Sequence, residues 1–319
     1  MVSKRLLLSI LPFLFFSVVS FAQTTPSATP AIKDTTYWKT KKEFGLNFNQ
    51  GSFSDNWQGG GVNNLGLGSF FNAKGEYRKD RDSWVNDFQS QFGFQKIKGQ
   101  EFRKSIDRLF FDSKYGRKLG AKADTQWSFI GSLNVLTQFA NGFDYNYRYS
   151  NQTSPLISGL FTPIYITEGI GFEWRPETFF TMSFYPGAVR HTILGNKNLY
   201  QAIDARNASE LEAGNKPYEF LNYGIAKGKR ALTEVAIMQL VANFDRDIAK
   251  NVNLKFRYQA FASFRDLAAI DNRIDAKLTA KINRYLNFNF DLIALYDQDQ
   301  VMKIQYAQSM GLGFLYTFK

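Results

Sequence analysis

The chain has no cysteine, one histidine and only eight prolines among its 319 residues. Without cysteine it can form no disulfide bond, no thiolate metal site and no lipidated N-terminal cysteine. The small number of prolines leaves most of the backbone able to donate hydrogen bonds in a β-ladder. Beyond residue 20 no apolar run is long enough for a transmembrane helix, which argues against a helical membrane protein.

Aromatic residues, by contrast, are abundant, with 32 Phe and 16 Tyr. Hydrophobic residues make up 44% of the chain, yet the mean hydropathy is slightly negative at −0.30. Aromatic residues favour strands, and the polar residues that face the lumen of a membrane barrel lower its average hydropathy. The composition is therefore typical of a β-barrel whose strands alternate between lipid and lumen.

The N-terminus has the features of a secretory signal peptide, predicted as Met1–Ala22. A basic start is followed by an apolar segment over Leu6–Phe16 and by a small-x-small cleavage site that ends at Ala22. The next segment, Gln23–Lys41, is polar and aperiodic, and we predict a periplasmic tether there. The predicted barrel occupies Lys42–Lys319.

The final stretch, Gln305–Lys319, shows the strand pattern most clearly. Large apolar or aromatic residues occupy alternate positions, and small or polar residues stand between them. The stretch is about 14 residues long, whereas a globular strand has about 5–6 and a membrane-crossing strand needs roughly 9–11. Outer-membrane barrels often end on an aromatic residue, and this C-terminus resembles theirs through Phe318.

The same alternation recurs along the chain and predicts an all-β, transmembrane antiparallel β-barrel of about 12 strands. The middle of the barrel is least regular: Leu160–Trp174 and Thr178–Ile193 are predicted strands joined by a turn at Trp174–Glu177. Pro163 and Pro186 interrupt the expected ladder there, and we predict β-bulges at these places.

The links between the predicted strands alternate in length. Every second link is a short turn, and the longest links all fall between those turns: Ser54–Val62, Ile97–Lys104, Asn141–Gly159 and Asn196–Lys229. In outer-membrane barrels the short turns face the periplasm together with both chain ends. We therefore predict a location in the outer membrane of a Gram-negative cell, with the N- and C-termini in the periplasm.

His191, the only histidine, is the one candidate for catalysis. Hydrolases of the outer membrane can place a His–Ser or His–Asp pair near the outer rim, where His191 is expected to lie, but no Ser-His-Asp or paired-carboxylate spacing accompanies this residue. Glu168 falls in an otherwise apolar register of the preceding strand. We expect no enzymatic activity, no metal and no cofactor, and a hydrolase is the less favoured class.

A set of charged residues is predicted to line the lumen near the C-terminus: Lys255, Arg257, Arg265, Arg273, Asp275, Lys277, Lys281 and Asp291. Most of them are cationic, which leaves two alternatives. The cations pair with Glu76, Asp87 and Asp112 across a narrow lumen, or they line a pore that favours anions. The paired interior is favoured because enclosed, unpaired charge is costly.

Twelve strands do not decide whether the barrel is open. Barrels of about eight strands fill with side chains, and those of 16–18 strands leave a channel. The favoured function is a narrow channel for small, anionic solutes, and the alternative is a closed structural or partner-binding subunit of an envelope complex. Expected partners are outer-membrane lipid and other envelope proteins. Nucleic acid is not expected, because no binding motif accompanies the basic excess.

Several segments resemble one family, the Bacteroidota outer-membrane β-barrel proteins catalogued as a domain of unknown function. They are NWQGGGVNN at Asn56–Asn64, FTPIYITEGIGFEWRP at Phe161–Pro176, YGIAKGK at Tyr223–Lys229 and AKINRYLNFNFDLIALYDQD at Ala280–Asp299. The resemblance implies an outer-membrane barrel and no established activity. It assigns no functional residue.

Overall fold

A computed structural model describes residues 36–52, 54, 63–120, 125–143, 156–196, 198–199, 222–225, 229–264, 270–297 and 301–318. The predicted signal peptide and most of the tether lie outside these residues. The described strands are β1 (Trp38–Gly51), β2 (Asn64–Lys79), β3 (Asp82–Ile97), β4 (Arg103–Lys118), β5 (Trp127–Thr137), β6 (Gly142–Phe143), β7 (Leu156–Ser158), β8 (Ile164–Glu177), β9 (Phe180–Ile193), β10 (Ala231–Ala249), β11 (Val252–Ser263), β12 (Ile270–Lys281), β13 (Leu286–Asp297) and β14 (Val301–Phe318).

Twelve of these strands form a single closed barrel, in agreement with the prediction. Sequence neighbours pair in antiparallel fashion around the ring, and β5 pairs with β8 because β6 and β7 form a separate two-stranded sheet. The ring closes where β1 meets β14. That seam covers only Lys42–Phe48 against Leu312–Phe318, whereas β1 pairs with β2 along its whole length.

Large apolar side chains cover the outside of the barrel. Phe48 on β1 is 53% exposed, and Tyr306 and Leu312 on β14 are 73% and 59% exposed. Soluble proteins rarely expose a contiguous apolar surface of this extent, whereas a barrel in lipid presents such a band around its outside. The closed ring and this surface together confirm the predicted transmembrane barrel.

The two ends of the barrel differ. We call the end that carries the links 80–81, 119–126, 178–179, 250–251 and 282–285 the short-turn rim; it also carries the start of β1 and the end of β14. The other end is the long-loop rim, and its longest links are 138–163 and 194–230. The links 52–63, 138–163 and 194–230 confirm three of the predicted long links, but the fourth, predicted at Ile97–Lys104, is only 98–102 and is shorter than 119–126 on the short-turn rim.

Aromatic residues surround the short-turn rim. The Trp38 ring lies 5.4 Å from that of Tyr77 and 5.9 Å from that of Trp84, and on another part of the rim Trp127 stacks on Trp174 at 6.3 Å. Tryptophan and tyrosine concentrate where a membrane barrel crosses the boundary between lipid and water. This girdle therefore marks one edge of the membrane.

Strand β1 starts earlier than predicted. It begins at Trp38, so the last four residues of the predicted tether, Trp38–Lys41, pair with β2. Three lysines near this end interrupt the alternation of apolar and polar residues that predicts a strand. The packing of Trp38 on the aromatic girdle cannot be inferred from the neighbouring sequence. The barrel therefore begins before the predicted boundary at Lys42.

The middle strands also differ from the prediction. Strand β8 starts at Ile164, because Gly159 and Thr162 form a tight bridge before it. It continues to Glu177, so the turn lies at 178–179 instead of at Trp174–Glu177. The predicted bulge at Pro186 is confirmed by a register shift between β8 and β9.

The chain segments at the long-loop rim pack on one another. Leu194, Leu199 and Ile225 are buried together, with Tyr223 against them. The Tyr223 hydroxyl donates a hydrogen bond to the carbonyl oxygen of Ile157 at 2.8 Å, and burial raises the pKa of this hydroxyl. Within the described residues no helix has the length and apolarity to span a membrane.

The contact of Gly45 with Phe70 yields a stability prediction. A Cβ atom at Gly45 would collide with the buried Phe70 ring, which fills the lumen side of the seam, whereas a Cβ atom at Gly311 on the adjacent strand meets nothing within 4 Å. We expect Gly45→Ala to lower the free energy of unfolding by about 1–3 kcal/mol, measured by urea titration in lipid vesicles. Gly311→Ala is the matched control and should not destabilise; equal losses would contradict the proposed packing.

Candidate functional site

The structure brings the predicted lumen residues onto three adjacent strands. Lys255 and Arg257 lie on β11, four more on β12 and Asp291 on β13, all in the register that alternates with the outward apolar residues. The four on β12 are Arg273, Asp275, Lys277 and Lys281. Arg265 lies outside the described residues.

One ion pair crosses the lumen. Arg257 on β11 lies 3.9 Å from an Asp112 carboxylate oxygen on β4, and these strands are five places apart in the ring of twelve. Asn243 accepts a hydrogen bond from Arg257 at 3.1 Å, and Asn134 donates one to Asp112 at 3.1 Å. The neighbours of each charge therefore hold the two side chains towards one another from nearly opposite walls.

Phe110 lies beside this pair and contacts two guanidinium groups. Arg257 is 5.4 Å and Arg108 is 4.4 Å from the centre of its ring. Arg108 is only 8% exposed and donates a hydrogen bond to Gln89 at 2.8 Å. Its Nε atom has no hydrogen-bond acceptor among the described residues. Two cations thus lie close to one aromatic ring deep in the lumen.

The neighbouring wall carries two more ion pairs at this depth. Arg273 donates two hydrogen bonds to Asp275, both at 2.8 Å. Lys277 lies 3.6 Å from Asp291 and 4.1 Å from the centre of the Phe70 ring on β2. We call the set formed by Phe70, Arg108, Phe110, Asp112, Arg257, Arg273, Asp275, Lys277 and Asp291 the waist.

The waist agrees only in part with the expected pairing. Of the three acidic partners expected for the lumen cations, Asp112 meets Arg257 across the lumen. Asp87 accepts a hydrogen bond from Gln89 at 2.9 Å. Glu76 forms ion pairs with Lys74 and Arg78 of its own strand. The contacts of Asp87 and Glu76 lie within their own strands, where residues two apart share a face.

The lumen is wetter on the short-turn side of the waist than at the waist itself. Lys41 and Lys74 near that rim have side chains 56% and 43% exposed. At the waist, Arg257 and Asp112 are 20% and 19% exposed. Water therefore enters from the short-turn rim, and side chains fill the space farther in.

Beyond the waist, towards the long-loop rim, the interior is more tightly packed. Arg190 on β9 forms an ion pair with Asp271 on β12 and lies 3.7 Å from the centre of the Phe261 ring. Phe261 is 1% exposed. The burial of these groups shows that little water reaches this part of the lumen.

A second polar cluster lies on the outside of the barrel. The Nδ1 atom of His191 is 2.9 Å from Oγ1 of Thr233, and its Nε2 atom is 3.6 Å from Oε1 of Glu168. These residues come from β9, β10 and β8, side by side in the ring. Spacing along the sequence could not reveal the cluster, because only strand register brings the three together.

The closed ring, apolar outer face and charged interior define a membrane-spanning β-barrel. A family model of proteins of unknown function, DUF3078, matches residues 48–143. No curated protein matches the sequence.

Several solved barrels are similar in outline. An outer-membrane channel from Pseudomonas putida F1 has 7% identity and a TM-score of 0.39, and the alignment covers 92% of this chain and 100% of that one. The NanC porin has 8% identity and a TM-score of 0.38, with 88% and 99% covered. The translocator domain of autotransporter NalP from Neisseria meningitidis has 10% identity and a TM-score of 0.34, with 90% of each chain covered. Likenesses this distant give no information about the role of this barrel.

The pairing of Arg273 with Asp275 can be tested through stability. Asp275→Ala removes both acceptors from a guanidinium that is only 20% exposed, so we expect a loss of about 1–3 kcal/mol in the free energy of unfolding. Glu76→Ala removes a carboxylate whose partners Lys74 and Arg78 are 43% and 49% exposed, so it should cost less than about 1 kcal/mol. Urea titration of both variants measures the difference, and equal losses would contradict a packed waist.

Proposed function

We propose that this chain is an outer-membrane protein whose short-turn rim, together with both ends of the barrel, faces the periplasm. The closed ring supports this, because it leaves no unpaired sheet edge to face lipid along most of its circumference. The exposed apolar band and the aromatic girdle support it further. The signal peptide predicted at Met1–Ala22 supplies the route of export.

This location predicts a specific behaviour of the expressed protein. We expect the mature chain in the outer-membrane fraction, with a gel mobility that changes on boiling as the barrel unfolds. An outward charge should prevent insertion, so Leu312→Arg, which places a cation on a strongly exposed apolar position, should reduce the inserted fraction. Leu312→Phe is the control. A mature protein found in the soluble fraction would contradict the proposal.

We further propose that the barrel is closed at rest and serves as a structural or partner-binding component of the cell envelope. The observation that supports this most strongly is the Arg257–Asp112 pair across the lumen. Cations and carboxylates of the waist alternate around the wall, and enclosed charges that satisfy one another stabilise a filled interior. A resting pore would need these contacts to be broken.

A narrow channel for small, anionic solutes is the second candidate, and one observation favours it. Arg108 presents an Nε atom with no acceptor in the described part of the chain, close to the cation of Arg257. A passing anion could use both guanidinium groups as donors. The exposed lysines on the short-turn side would lead anions towards them.

Planar-bilayer conductance separates the two candidates. For the closed barrel we expect no steady current from the wild type, and ohmic steps from the double variant Asp112→Ala with Arg257→Ala, because that change removes the contact across the lumen. The matched control is Lys41→Ala with Glu43→Ala, a pair at 2.7 Å on one wall of the exposed lumen, which should stay silent.

A different result would favour the channel. Steady, anion-selective steps from the wild type would contradict the closed barrel, and their selectivity should then fall when Arg257 and Lys277 are changed to Glu. If the wild type is silent, co-purification with other envelope proteins tests the partner-binding role.

A further inference from the structure

The outward cluster of Glu168, His191 and Thr233 is unusual for a wall that faces lipid. Its neighbours on the same face are large apolar residues that stay exposed: Leu133 is 39%, Ile170 is 61% and Val235 is 49% exposed. The Glu168 side chain is itself 59% exposed. Carboxylates on the lipid face of a barrel are unfavourable, and ionisable residues inside a membrane commonly mark functional sites.

The depth of the cluster follows from the strand geometry. Along β8, Trp174 of the girdle lies six residues from Glu168 and eight residues from Ile166, which pairs with His191. At about 3.3 Å per residue and a tilt of about 40°, the cluster stands roughly 15–20 Å from the girdle. The apolar band of such barrels is about 25 Å tall. The cluster therefore lies in the half of the band towards the long-loop rim, about 5–10 Å inside the edge where lipid head groups join their acyl chains.

The arrangement of the three side chains is that of a nucleophile, a base and a carboxylate. His191 uses both ring nitrogens: Nδ1 is within hydrogen-bonding distance of the Thr233 hydroxyl, and Nε2 faces Glu168. When Nδ1 of His191 is unprotonated, it can accept the proton of the Thr233 hydroxyl. Glu168 then stabilises the imidazolium that forms. We propose that this cluster hydrolyses acyl esters of membrane lipids, with Thr233 as nucleophile, His191 as general base and Glu168 as the positioning residue.

The reaction proceeds in two balanced steps. Thr233 Oγ1 attacks the ester carbonyl carbon while its proton passes to His191; the ester C–O bond then breaks, and His191 returns the proton to the departing alcohol. A water molecule from the head-group region attacks the acyl-threonine, again with His191 as base. The products are a fatty acid and regenerated Thr233, so one water is consumed for each ester bond broken.

The surroundings select the substrate class. The apolar residues around the cluster form a surface on which acyl chains pack, and the cluster lies in the half of the apolar band nearer to the ester linkages of the leaflet on the long-loop side. A short, water-soluble ester gains nothing from this surface. We therefore expect long-chain lipid esters to be cleaved and acetate esters to be spared.

The test uses the full mature barrel reconstituted in phosphatidylglycerol–phosphatidylethanolamine vesicles. Fatty-acid release should exceed that of protein-free vesicles and fall about 100-fold or more in His191→Ala and in Thr233→Val. Thr233→Ser keeps the hydroxyl and should retain activity. Glu168→Gln should lower kcat with little change in KM. Acid-quenched wild type should carry an acyl group on the tryptic peptide Ala231–Arg246, which contains Thr233.

The matched control is Ser69→Ala, which removes an outward hydroxyl on β2, far from the cluster around the ring, and should not change the rate. Heat-modifiable mobility shows that each variant is folded. If the wild type releases no more fatty acid than Thr233→Val, the proposal is overturned. An acyl group on any other peptide would also overturn it. The conductance experiments do not depend on this outcome, because the cluster lies outside the lumen.

Discussion

The requirement that governs this molecule is that backbone hydrogen bonds must be satisfied where lipid replaces water. Each unpaired N–H or C=O in hydrocarbon costs several kcal/mol, so a sheet that crosses a membrane has to close on itself. The pairing of β1 with β14 meets that requirement. Closure then forces every strand to turn one face inward, and the polar residues that alternate with the lipid-facing ones are collected in a confined space. The ion pairs of the lumen follow from this confinement, because charges kept from bulk water are stable only when they meet opposite charges or hydrogen-bond partners.

The sequence predicted the strands well because their signal is local. Alternation of apolar and polar residues, link lengths and the terminal Phe318 each depend on a few neighbouring positions. Pairing of a lumen cation with Asp112 across the lumen was the favoured expectation, but the sequence could not show which cation meets it. Arg257 meets Asp112 because the stagger between strands accumulates around the ring, and no short segment encodes that stagger. The outward cluster was missed for the same reason, since Thr233 is placed opposite His191 by the pairing of β9 with β10. Glu168 was the one local sign, a charge in an apolar register.

The inner and outer surfaces therefore reflect different physical conditions. Inside, Asp275 and Arg273 neutralise each other and are mostly shielded from solvent, as expected for groups that stabilise a filled interior. Outside, Glu168 is largely exposed beside residues that prefer lipid. A paired charge in the lumen is explained by the fold alone, whereas an outward carboxylate is not, because replacing it with an apolar residue would suit the membrane better.

The shortness of the seam has a consequence for how the barrel opens and assembles. Among the described residues, β1 pairs with β14 only over Lys42–Phe48, so the part of β14 between Val301 and Gly311 has its described pairing with β13 alone. Joining β1 to β14 brings together the first and last strands of the barrel, and the pairing that joins them is the shortest among the described strands of the ring. We expect thermal fluctuations to open the described wall most readily along this joint, because the fewest backbone hydrogen bonds hold it together.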